Sequence, residues 1–172
     1  KFYLPVVMKQ DQQVTVFAAD YKRLVMAASG KETKVSRRKG RILAFQALYS
    51  HDVGEVPLDE LLRFEWDKKE GSETEPDSYD FARILVSGTI NHQEEIDALI
   101  KKHLSDNWDF ERVNKVSLAI LRISIFTLLF QKDVHPSIVI DEAIAIAKDY
   151  GETDSFRFIN AVLDNIRKET AS

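Results

Sequence analysis

Few residues of this chain combine the type and the spacing that covalent chemistry requires. His51, His92, His103 and His135 fall on separate predicted elements, without the HxxxH or HxxE spacing that sets two metal ligands on one helical face. Each reads as an ordinary surface or half-buried histidine. Adjacent carboxylates such as Glu94–Glu95 and Asp141–Glu142 point about 100° apart on a helix and do not converge as an acid–base pair. No phosphate-cradling loop, dinucleotide-binding GxGxxG or GxSxG nucleophile elbow occurs. Cysteine is absent, so disulfides and thiolate metal sites are excluded. The expectation is a protein that is not an enzyme and uses neither cofactor nor metal.

What the chain carries instead is a cation cluster. Lys34–Arg41, KVSRRKGR, holds five positive charges and no negative one in a chain of net charge −4, which leaves −9 for the remainder. A cationic knob on an acidic body suits a polyanion, RNA above all. A solvated helix entrance is the blander alternative. Single-stranded RNA needs cations for phosphates and planar groups for unstacked bases. Arg37, Arg38, Lys39 and Arg41 supply the first, and Gln46 and Tyr49 follow about one and two turns later. Tyr49 either offers a ring face or belongs to the core stripe with Ile42 and Phe45. A second cluster surrounds Phe156, Arg157 and Phe158 near the start of the last helix. The two phenylalanines lie two residues apart and cannot share a face, so one of them should be partly exposed. The helix N-terminus there adds partial positive charge.

The elements that must position these groups are helices. Apolar residues recur three or four apart from Ser36 onward. Ser36 is the expected N-cap of a first helix to Asp52, with Ile42, Phe45, Leu48 and Tyr49 on one face. A short helix is expected over Leu58–Trp66, then a loop over DKKEGSETEPDS. Asp77 or Ser78 should cap a long helix to Leu104, in which Gly88 is either a close crossing or simply tolerated. Asn114–Gln131, apolar nearly all round, should be the buried central helix. Pro136 and Ser137 open a fifth helix that Gly151 ends, and Thr153 or Asp154 caps the last. Nothing from Ser36 onward reads as a strand, and the body is all-α.

Length and composition fit one domain, with or without an appendage. The chain has 172 residues, 44 % apolar and 30 % charged. Its longest apolar stretch, Leu118–Phe130, is interrupted by Arg122 and is too short to span a bilayer. The opening KFYLPVVMKQDQQ lacks the form of a signal peptide, so a cytoplasmic protein is expected. Residues 1–33 form a separate N-terminal extension. FYLPVV and VTVFAADY look strand-like, and AASGKETK reads as a linker. The extension is an extended reading frame, a remnant of cloning or a strand-forming arm.

In their order and spacing, several segments resemble the NusB family of bacterial transcription antitermination factors. They are RRKGRILAFQALYS, INHQEEIDALIKKHL, AILRISIFTLL followed by a DV-x-P turn, and IVIDEAIAIAKDYGETDSFRFINAVLDNI. The resemblance runs from Arg37 to Ile166. It implies an all-α, NusB-type bundle of two three-helix subdomains, with residues 34–172 as the domain. It implies binding of boxA RNA in nascent ribosomal-RNA transcripts, jointly with NusE, a ribosomal protein of the small subunit, so that RNA polymerase reads through terminators. By the same resemblance, RNA contacts fall on Arg37, Arg38, Arg41, Gln46 and Tyr49, and on Asp154, Ser155 and Phe158. Lys148 belongs to the same edge, and the two clusters are expected to make one RNA surface. Ser117 and Arg122 are the candidates for contact with NusE.

Two positions depart from the family pattern. Asp141 stands where the family usually has Asn, which removes an amide contact. Ala161 replaces the usual Gly, which alters a close approach. Two rival classes also stand beside the resemblance. NusB-like domains form the RNA-binding front of ribosomal-RNA cytosine methyltransferases, and some family members self-associate as homodimers with the RNA surface hidden.

Overall fold

A computed structural model of the protein describes residues 34–69 and 71–171. The strand-like readings of residues 1–33 fall outside that range. The chain divides into two compact units, the first ending at Asn91 and the second running from His92 to Ser172. Among the described residues every regular element is helical.

The first unit is organised by α1 (Lys34–Gly54) and α4 (Pro76–Asn91). Lys34 and Ser36 already lie within α1, so Ser36 is not its cap. The helix turns Leu43, Ala44, Phe45, Ala47 and Leu48 inward, against a partner helix whose Ala82, Ile84, Leu85 and Val86 are buried. Ile42 and Tyr49, expected to share a face with Phe45 and Leu48, lie instead on the less buried side. The crossing is close at Gly40. A Cβ there would stand 2.7 Å from Phe81 Cδ1 and 3.0 Å from the Ser78 carbonyl oxygen. Glycine in the basic run therefore serves helix packing.

The expected helix over Leu58–Trp66 is two short pieces, α2 (Leu58–Leu61) and α3 (Glu65–Lys69). Phe64 interrupts them with φ 54°, a left-handed conformation costing about 1–2 kcal/mol for a non-glycine residue. Its ring is fully buried, which returns roughly 1.5–3 kcal/mol. Tyr79 and Trp66 stand 5.3 Å and 5.7 Å away between ring centroids. Arg83 lies over the ring at 5.3 Å. Burial outweighs the strain and the backbone turns. The long helix expected to Leu104 opens on Pro76, whose fixed φ suits a first helical position, and it stops at Asn91. His92 leaves helical geometry (φ −115°, ψ 16°).

The second unit contains α5 (Gln93–His103), a 3-10 turn (Phe110–Arg112), α6 (Lys115–Phe130), α7 (Pro136–Tyr150) and α8 (Ser155–Thr170). As its composition requires, α6 is buried nearly all round. Asn114 caps it, its side-chain oxygen accepting from the Val116 and Ser117 amides at 3.0 and 3.1 Å. His135 accepts from the Ser137 amide at the head of α7. The face of α8 that carries Ile159, Val162, Leu163 and Ile166 packs on α7 and α6. Its last turn is tied to the end of α5, where Lys102 and His103 both donate to Glu169. Those donors, Lys102 first and then His103, hold the Glu169 carboxyl below its ordinary range.

Among the described residues, no helix is long and apolar enough to cross a membrane. None of their His, Asp and Glu side chains form a group of three placed to hold a metal. Asp141 and Ala161, the two departures from the family pattern, are both exposed. Ala161 therefore stands at no close approach.

Candidate nucleic-acid interface

Each unit carries one of the two clusters. In the first, Arg38, Ile42, Gln46, Tyr49 and Val53 follow one another at spacings of three or four along α1 and make one stripe. Exposure rises along it, and Tyr49 is 36 % exposed. Tyr49 therefore offers ring surface, and the Gln46 amide precedes it by one turn. Arg37 and Arg38 lie at the start of the same helix and are partly exposed.

Lys39 and Arg41 of the run are engaged within the unit. Lys39 Nζ donates to Asp67 Oδ1 at 2.9 Å. Arg41 is only 8 % exposed and lies over the Phe81 ring at 5.5 Å. Asp67 belongs to the stretch read from sequence as loop, yet it is buried and ends in a network. Thr74 Oγ1 and the Tyr79 hydroxyl donate to its second oxygen at 2.8 and 2.9 Å. Burial alone would raise the Asp67 pKa. The hydrogen bonds from Lys39, Thr74 and Tyr79 outweigh it and place the carboxyl below its ordinary value. The Tyr79 phenol is pushed up, first by burial and then by its bond to this carboxylate. Sequence reasoning missed Asp67 because an isolated acid in a polar run carries no signal of burial.

In the second unit the cluster is built at the entrance to α8. Gly151 ends α7, and a Cβ there would collide with Ser155 Oγ and stand 2.6 Å from the Ala147 carbonyl oxygen. That tight junction encloses the Ser155 hydroxyl, which has no hydrogen-bond partner among the described residues. Asp154 precedes α8 in the left-handed region (φ 67°), which Asp tolerates better than most residues. Its side chain does not cap the helix. The exposed carboxylate lies 3.6 Å from Arg157 Nε. Such a carboxylate can accept from a base amino group. Lys148 and Arg157 both sit over the Phe156 ring, at 4.8 and 5.7 Å. Phe156 and Phe158 are each half-buried, so both present part of a ring. Phe158 lies in a near-parallel stack with Trp108, a residue the sequence reading left out (centroids 5.4 Å, planes 15° apart). The one sequence signal for it is a tryptophan within the polar stretch LSDNWD.

The proposed NusE contacts fare differently. Ser117 and Arg122 are both buried on α6. Arg122 reaches Asp97 of α5 through two hydrogen bonds of 2.8 Å, a bidentate clamp inside the unit. Neither presents a surface to a partner in this structure.

Among the described residues an all-helical fold sets cations beside partly exposed rings, which defines a class, the helical modules suited to hold a polyanion. Residues 38–168 match the model of the NusB family, and the chain belongs to that family. It is 52 % identical over 136 residues to the transcription antitermination protein NusB of Treponema denticola, covering 79 % of this chain and 98 % of the relative. A solved structure of NusB from T. maritima aligns with a TM-score of 0.69 at 34 % identity, over 81 % of this chain and 94 % of that one. A crystal structure of the antitermination factors NusB and NusE in complex with dsRNA aligns with a TM-score of 0.69 at 31 % identity, over 80 % and 99 % of the two chains.

Proposed function

We propose that this protein is a non-catalytic transcription antitermination factor of the bacterial cytoplasm. It binds boxA-type RNA of nascent ribosomal-RNA transcripts together with a NusE-type small-subunit ribosomal protein, and so helps RNA polymerase read through terminators. The observation that carries this reading is the match to a solved complex of NusB, NusE and RNA over most of the chain. Residues 34–172 act as the RNA-binding domain, preceded by residues 1–33 as an N-terminal extension. Direct RNA contacts fall on Arg37, Arg38, Gln46 and Tyr49 of α1, and on Lys148, Asp154 and Phe158 of the second unit. Lys39 and Arg41 act chiefly by fixing α1, and the enclosed Ser155 hydroxyl by shaping the entrance to α8.

Binding of a boxA-type oligoribonucleotide, measured with and without the NusE-type protein over a range of salt concentrations, tests the reading. Affinity should fall steeply with salt, by a log–log slope of about −0.7 for each phosphate neutralised on a single strand. It should rise when the ribosomal protein is present. A chain that binds neither partner sinks the proposal.

A further inference from the structure

We infer that Trp108 is a base-stacking residue of the RNA site, its outer face taking an unpaired base while its inner face rests on Phe158. The inference deepens the function proposed above and rests on it. Two observations carry it. Trp108 is 52 % exposed, so one of the largest π-surfaces in the chain is left to solvent. It is also held in place. Its amide donates to the Ser105 carbonyl at 2.8 Å, and the next residue, Asp109, accepts from the Glu111 amide at 3.1 Å. The near-parallel stack on Phe158 fixes the plane of the indole.

The geometry changes what Phe158 itself can do. Trp108 covers part of its ring, so the aromatic surface open to a base here belongs mainly to the indole. An immobilised ring loses little further freedom when a base lies on it, which favours stacking. Arg157, exposed on the turn between the two phenylalanines, supplies a cation for the adjoining phosphate.

The test compares Trp108→Leu, which keeps apolar bulk but removes the extended π-face, with the conservative Trp108→Phe. Against a boxA-type oligoribonucleotide, Trp108→Leu should weaken binding about five- to hundred-fold, and Trp108→Phe should recover most of it. The salt dependence should stay that of the parent chain, because no phosphate contact is lost. An abasic nucleotide at one position should cost the parent chain affinity and cost Trp108→Leu almost none. In a Trp66→Phe background, Trp108 is the remaining tryptophan of two, and RNA should quench its fluorescence.

If the parent chain binds RNA and Trp108→Leu binds as well, the inference falls and the proposed function stands. If Leu and Phe variants lose RNA binding equally, the indole only packs against Phe158, and stacking is overturned. Loss of NusE-type protein binding with RNA binding intact would assign the ring to a protein surface and also overturn it. A parent chain that binds neither RNA nor the ribosomal protein removes the functional reading and this inference together.

Discussion

The two clusters achieve a similar mixture of charge and ring surface by opposite means. On α1 the charge is conspicuous in sequence, yet the fold draws much of it inward: Lys39 is paired to Asp67 and Arg41 lies against Phe81. At the entrance to α8 there is little charge to notice, and the fold assembles rings from separate segments into an outward platform. Counting cations therefore overstates the first cluster, and reading helical periodicity understates the second. A charge run is best judged by what its side chains lean on.

The largest effect that would sharpen this contrast is expected at Asp67. Asp67→Ala leaves the Lys39 ammonium, the Thr74 hydroxyl and the Tyr79 hydroxyl without their acceptor, and should cost about 2–3 kcal/mol in denaturant unfolding. The same residue sets a pH signature. Its folded pKa lies below the ordinary 3.8, so its stabilisation is complete above that value and is lost as pH falls through the lowered folded value. Asp67→Asn should flatten this acid limb. A limb unchanged in Asp67→Asn would show that the network carries no such linkage.

Next comes the α7–α8 junction. Gly151→Ala drives a methyl into Ser155 Oγ and the Ala147 carbonyl and should cost about 1–3 kcal/mol. Adding Ser155→Ala should restore only part of that loss, because the carbonyl remains. Full restoration would place the whole strain on the hydroxyl. The smallest effect separates two arginines. Arg38→Ala should reduce the salt slope of RNA binding by about one phosphate's worth. Arg41→Ala should lower the midpoint of unfolding and leave the slope nearly unchanged. Equal slope changes in both would break the distinction drawn between the outer and inner cations.

Much of the fold was legible because its periods are strong. The apolar run of α6, Pro136 at the head of α7 and Gly151 at its end all act through local chemistry. The interruptions at Phe64 and His92 were not legible, since each depends on rings supplied by other segments, Tyr79 for one and Phe126 and Phe130 for the other. The site divides in the same way. Arg37, Arg38, Gln46 and Tyr49 stand on one helix, where spacing suffices to place them. Trp108 and Phe158 meet only through tertiary packing, so no local pattern joins them. Burial was equally illegible at Ser117 and Arg122, which both lie inside the unit, Arg122 clamped to Asp97.

The clasp of Lys102 and His103 on Glu169 has a consequence for motion. Helices fray from both ends unless something holds them, and this one is held at its C-terminal end. Amide hydrogens in the last turn of α8 should therefore exchange more slowly than those around Ser155. Fluctuation is left to the end proposed to contact RNA, where a bound strand could damp it.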